Sequence, residues 1–152
     1  MSEKRNDPFQ SEAFRRIEEE HLYRAIAFLL EEGIEFAVAA EVEYVNFDPP
    51  LPKSIAENLR PLSLFVLGGY SFESGSVDET ALVFEAGFGA ENFGSLLRIP
   101  LLAIKQLIVG EYPIAINIAE PRPEAASPET ERSMEALLSN PENRRLLKKK
   151  KE

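Results

Sequence analysis

Leu82–Ile118, LVFEAGFGAENFGSLLRIPLLAIKQLIVGEYPIAINI, decides the fold: it predicts two strands, a short apolar helical or 3₁₀ segment, and a third strand. Leu82, Phe84, Ala86 and Phe88 alternate with Val83, Glu85, Gly87 and Gly89. That period of two puts successive side chains on opposite faces of a strand, one of them the core face. The other face joins a valine and a carboxylate to two glycines, where a neighbouring backbone or a ligand can come close. Ala90–Ser95 supplies turn chemistry, since Asn and Gly take positive φ readily. Leu96–Ile99 returns as a strand that Pro100 ends. In LLAIKQLIV, Leu101, Ile104, Leu107 and Ile108 recur at helical spacing up to Gly110, a residue suited to ending a helix. Ile114, Ile116 and Ile118 alternate with Ala115, Asn117 and Ala119 in a last strand that stops at Pro121.

Upstream, Met1–Asn6 is polar, and Asp7-Pro8-Phe9-Gln10 reads as a helix start, with Asp as cap, Pro at the first position and Gln reaching back to the cap. Phe14, Ile17, His21 or Leu22, Ala25 or Ile26, and Leu29 follow three or four apart until Gly33. The stripe widens at Ile26, Phe28, Leu29 and Leu30, leaving apolar excess at Tyr23, Ala27 and Leu30 for the chain's own core or for a second subunit. Ile34–Val45 alternates as a strand with Glu41 and Glu43 on one face, about 7 Å apart. Asn46–Lys53 holds three prolines and reads as a loop, and Ser54–Leu59 as one helical turn. Leu62–Leu67, an unbroken apolar run, predicts a central strand covered on both faces, ending in Gly68-Gly69. The sum is an α+β chain: a mainly antiparallel small barrel or sandwich with an N-terminal helix. Residues 1–120 make the domain. From Pro121 the composition turns to Pro, Ala and Glu, predicting a linker and a flexible, partly helical, basic tail over 121–152.

Composition narrows the chemistry. The 152 residues include no Cys and one His, which leaves no thiol nucleophile and no thiolate metal site. A net charge of −9 argues against nucleic acid, whose affinity comes from clustered Lys and Arg. No apolar run reaches the length of a membrane helix and the start is no signal peptide, so a soluble, cytoplasmic protein is expected. Glu41 and Glu43 would serve as an acid and base pair only across a pocket that splits their pKa values, and nothing nearby marks one. His21 stands among Glu18, Glu19 and Glu20 without converging ligands. No phosphate loop or nucleophile elbow follows a strand. The expectation is a protein that is not an enzyme and needs no metal or cofactor.

FEAGFGA followed by LRIPLLAIKQLIVGEYPIAINIAEP resembles the SspB family of adaptors, which carry ssrA-tagged proteins to the ClpX unfoldase of ClpXP. Upstream, YRAIAFLLEEGIEFAVAAEV (Tyr23–Val42) resembles the family's opening helix and first strand, and DPPLPKSIAENL (Asp48–Leu59) its following loop. The likeness spans Tyr23–Pro121. It implies a groove on the sheet for an extended tag peptide, at Val66, Gly68, Gly69, Phe84, Ala86 and Gly87. It also implies a homodimer interface on the opening helix at Tyr23, Ala27 and Leu30, and a tail motif for the unfoldase at Arg144, Arg145, Leu146, Leu147 and Lys148. Gly87 stands where family members often carry a basic residue, which implies a shifted client preference. Two alternatives remain: a small RNA-associated β-barrel protein whose lysine tail touches phosphate, and a peptide-binding module for a different client.

Overall fold

Phe36–Glu41 (β1) is the hub of the computed structural model, which describes residues 7–122. It lies between Leu62–Leu67 (β3) and Ile104–Val109 (β7), and Tyr112–Ile116 (β8) completes an antiparallel sheet in the order β3-β1-β7-β8. A second antiparallel sheet runs β2-β6-β5-β4, from Asn46–Asp48 (β2), Ser76–Val77 (β4), Ala81–Phe88 (β5) and Phe93–Pro100 (β6). The described residues thus form two open four-stranded sheets and no closed barrel. The sheets share one core, with Val38, Leu67 and Leu107 from the first and Leu82, Phe84, Leu97 and Ile99 from the second fully buried.

The long helix Glu12–Glu32 (α1) closes this core with Leu22, Ile26 and Leu29. Its start differs from the expectation at Asp7. Pro8–Gln10 is a separate 3₁₀ turn capped by Asp7, and Ser11 caps α1 by accepting from the Phe14 N–H at 3.2 Å. Gly33 ends it in the left-handed region at φ 73°, a backbone that lacks the Cβ penalty. Two single-turn helices follow, Lys53–Ala56 (α2) and Tyr70–Glu73 (α3).

Four expectations change. Ile104–Val109 is a strand and only Leu101–Ala103 is 3₁₀, because the run pairs with β1 on one side and β8 on the other. Helical spacing over so short a run also fits a strand buried at intervals. Gly110, at φ 63°, begins the two-residue turn into β8. Leu62–Leu67 is an edge strand, not a central one: Phe65 and Leu67 are buried, while Leu62, Leu64 and Val66 stay exposed. The first strand stops at Glu41, where Val42–Tyr44 turns, so Glu43 leaves the strand that carries Glu41. The proline-rich stretch begins as β2, paired with β6, before the cis Asp48–Pro49 peptide.

The last strand points its isoleucines outward and buries Ala115, Asn117 and Ala119. Asn117 Nδ2 donates to the Leu102 and Ile104 carbonyls at 3.0 and 3.1 Å, and its Oδ1 accepts from the Ala119 N–H at 2.8 Å. Asn117→Ala strands these three buried backbone groups. It is expected to lower unfolding free energy by about 3 kcal/mol, read by urea denaturation, whereas Ile116→Ala on the outer side changes the monomer's stability by less than about 1 kcal/mol.

The chain past β8 is fastened to α1, so the linker expected from Pro121 starts no earlier than the end of the described chain. Pro121 is buried, Gln10 bonds the Ile118 carbonyl and the Glu120 N–H, and Arg15 bonds the Glu120 carbonyl. Arg122 makes paired contacts with Glu12 at 2.7 and 3.0 Å and with Glu19 at 2.6 and 3.0 Å. The Arg122 hydrogen bond holds the Glu12 carboxyl below its ordinary 4.5. A lowered carboxylate pKa contributes stability above the unfolded value and loses it as pH falls through the folded one. Arg122→Ala should therefore lower the thermal midpoint by roughly 5 °C at pH 7, with the gap to wild type closing in acid below about pH 4.

Candidate functional site

The outer side of the second sheet holds a cleft of about 480 Å³. Its floor is the β5–β6 pair: Glu85, Ala86 and Gly87 stand opposite Leu96, Ser95 and Gly94. Asp48 and Pro49 bound one side, because β2 pairs Asp48 with Leu96 and the Ser95 hydroxyl donates to the Pro49 carbonyl at 2.9 Å. Tyr70 bounds the other side, its hydroxyl donating to Glu85 Oε1 at 2.9 Å. That bond to a carboxylate raises the Tyr70 pKa, so the hydroxyl stays protonated and keeps donating at neutral pH.

Beside the cleft, β5 has an unpaired edge. Strand β4 pairs only with Leu82 and Val83, and among the described residues no strand pairs with the same edge beyond them. The Glu85 N–H faces this edge, donating to Ser74 Oγ at 2.9 Å. Backbone groups of alternate residues point the same way in an antiparallel strand, so the Gly87 N–H and carbonyl face it too. Chemically the arrangement suits an extended peptide: main-chain hydrogen bonds along the edge, and a cleft for alternate side chains.

The structure gathers part of the residue set read from the sequence. Ala86 and Gly87 line the cleft. Gly68 and Gly69 sit at the end of β3 beside Glu35, whose carboxylate accepts from the Gly69 N–H at 2.9 Å, and Gly69, at φ 57°, opens the turn that carries Tyr70. Phe84 is 0% exposed, so its ring belongs to the core and not to the groove. Val66 is on the other sheet, exposed on its outer face. The open space expected at Gly87 is taken by the Asn92 carboxamide, which lies where a Cβ would stand. Asn92 holds φ 54° in the β5–β6 turn, and that backbone folds its side chain back over the strand. Sequence reasoning missed Asp48, Tyr70, Glu85 and Asn92 as cleft residues. Only the AENFG turn and the Gly-Gly pair before Tyr70 signalled them.

On α1, Tyr23 and Leu30 pack partly buried against the core, and Ala27 is half-buried. The helix's bare large apolar side chains are Ile17 and Phe28, at 60% and 59% exposure. His21 is exposed on α1, and no group of three or more His, Asp or Glu converges to hold a metal among the described residues. Glu41 is half-buried 3.6 Å from Lys105, and Glu43 is exposed in the following turn. Arg144, Arg145, Leu146, Leu147 and Lys148 lie outside the described residues. Within those residues no helix is long and apolar enough to cross a membrane.

Compared with known proteins, the chain matches no family model and no curated protein sequence.

Gly87→Ala tests the account of the cleft floor. The added methyl meets the far end of a flexible side chain, so the thermal midpoint should move by less than about 3 °C while Asn92 swings away. Amide NMR shifts should then change at Asn92–Gly94 and leave β1 untouched.

Proposed function

We propose that the chain is a non-enzymatic adaptor that holds extended ssrA-type degradation tags against β5 and hands tagged proteins to the ClpX unfoldase. The observation that carries this reading is the unpaired β5 edge beside a cleft lined by Ala86 and Gly87, two of the six positions that the SspB likeness assigns to the tag. The peptide gains main-chain hydrogen bonds to Gly87 and places alternate side chains over the β5–β6 floor. The tail after Arg122 tethers the adaptor to the unfoldase, raising the effective concentration of a weakly held tag.

A second reading, a peptide module for a different client, is favoured by the charge of the cleft. Asp48 and Glu85 line it, and no Lys or Arg does. Such a lining suits neutral or basic peptides and opposes acidic ones. It agrees with glycine at the position where the family often carries a base.

Fluorescence anisotropy of a labelled ssrA-type peptide titrated with the full chain separates the readings. Saturable binding weakened tenfold or more by Gly87→Gln, whose side chain stands on the cleft face, supports the tag adaptor, provided the variant keeps its circular dichroism melt. Stronger binding by a variant peptide whose acidic residues are replaced with lysine supports the different client. Absence of binding for both peptides overturns both. Ending the chain after Arg122 is expected to keep peptide affinity and abolish stimulation of degradation by the unfoldase and its protease.

A further inference from the structure

Strand β4 stops short along β5, and Ser74 stands where its pairing would continue. Ser76 pairs with Val83 and Val77 with Leu82. Carried back along the chain, that register sets Ser74 opposite Glu85 and Phe72 opposite Gly87. The backbone does not follow it. Gly69 takes φ 57°, and the Glu73 and Ser74 N–H groups bond the Gly69 and Tyr70 carbonyls, coiling the chain into α3. Ser74 still reaches the β5 backbone through its side chain. The hydroxyl accepts from the Glu85 N–H at 2.9 Å and donates to the Ser71 carbonyl at 3.0 Å. The rest of the turn is anchored elsewhere. Phe72 packs edge-on against Phe36 with ring centres 6.1 Å apart, Gly75 lies close against Leu30 and Leu67, and Glu35 holds the Gly69 N–H.

We propose that Ser74 sets how much of the β5 edge a bound peptide can use: its hydroxyl plugs the Glu85 N–H in the free protein and yields it to a main-chain carbonyl of the peptide. Ser74 acts in this way only if β5 takes an extended peptide, as proposed above. The main-chain groups of Glu85 and Gly87 face the same edge, so a peptide strand that pairs at Gly87 meets Glu85 two residues on. Opposite Gly87 no strand stands among the described residues. At Glu85 the N–H is already taken. A peptide confined to Gly87 gains one pair of main-chain bonds, whereas one that displaces Ser74 gains a second pair at Glu85. Displacement exchanges one neutral hydrogen bond for another, so the two states lie close in free energy. A hydroxyl suits this task better than a strand. It gives up a single bond and keeps the one to Ser71, whereas removing a paired strand would break a ladder. With Phe72 and Gly75 anchored in the core, Ser74 yields without unseating α3.

Anisotropy titrations of the full chain, Ser74→Ala and Ser74→Thr with the ssrA-type peptide and its lysine-substituted variant test the proposal, with amide hydrogen exchange at Glu85 beside them. Ser74→Ala removes the plug and should bind the better of the two peptides about threefold or more tightly than wild type. Ser74→Thr keeps the hydroxyl and should match wild type. A serine that only supports the fold would not raise affinity when replaced. In free Ser74→Ala the Glu85 amide should exchange faster than in wild type, and saturating peptide should restore its protection. Ser74→Gly also lacks the hydroxyl and repeats the test if Ser74→Ala loses its circular dichroism melt. Binding by the folded Ala or Gly variant that is no tighter than wild type overturns the proposal and leaves the adaptor reading standing. So does a Glu85 amide that stays unprotected in the complex, or a Ser74→Thr variant that behaves as Ser74→Ala. Binding of neither peptide by any of these chains overturns the peptide-binding reading and the role of Ser74 together.

Discussion

Asn117 holds the two sheets in one arrangement. The 3₁₀ turn Leu101–Ala103 carries the chain from the second sheet to the first, and the buried Asn117 carboxamide bonds two carbonyls at that crossing. Its oxygen takes the Ala119 N–H, fixing the segment that runs on to Arg122. A buried carboxamide is tolerated only when its hydrogen bonds are made, and here the crossing offers them in one place. Because side chains alternate along a strand, seating Asn117 inward commits Ile116 and Ile118 to the outer face. The exposure of Ile116 and Ile118 therefore follows from a polar residue in the interior.

The second sheet reaches its shape by a different route. Strand β4 covers only Leu82 and Val83, since the chain spends Tyr70–Ser74 on a helical turn that lies against β5 instead of pairing along it. That leaves the Gly87 end of β5 open. Two small residues, Gly87 and Gly94, face each other there, so the cleft has a low floor on which Asn92 folds. Tyr70 and Glu85 hold one wall by their hydrogen bond, and the turn after β2 holds the other. The cleft is thus the joint product of a short strand, a glycine pair and a turn residue with positive φ.

Lys105 shows how closely the first sheet and the tail segment are coupled. Burial lowers its pKa while Glu41 and Glu120 oppose that shift, and its ammonium donates to the Ala119 carbonyl at 2.6 Å. The same segment is held from the other side by Gln10, Arg15 and Arg122.

Legible in the chain were the local elements: α1 up to its glycine cap, the core-facing set Leu82, Phe84, Ala86 and Phe88, and the β5–β6 hairpin. Those follow from period, capping and turn chemistry, which act over a few residues. Tertiary structure alone decided which strands lie at edges and which face of each is covered. Leu62–Leu67 reads as a buried strand by composition, yet β1 takes the central place by pairing with both β3 and β7, and β3 lies at the edge with Leu62, Leu64 and Val66 exposed. Ile116 outside and Asn117 inside reverse what hydropathy suggests, since the carbonyls that bind Asn117 are 13 and 15 residues away in sequence. Asp48, Tyr70 and Asn92 likewise become cleft residues only when three separate turns meet over β5. Such pairings depend on distance in space, and no periodicity in the chain records them.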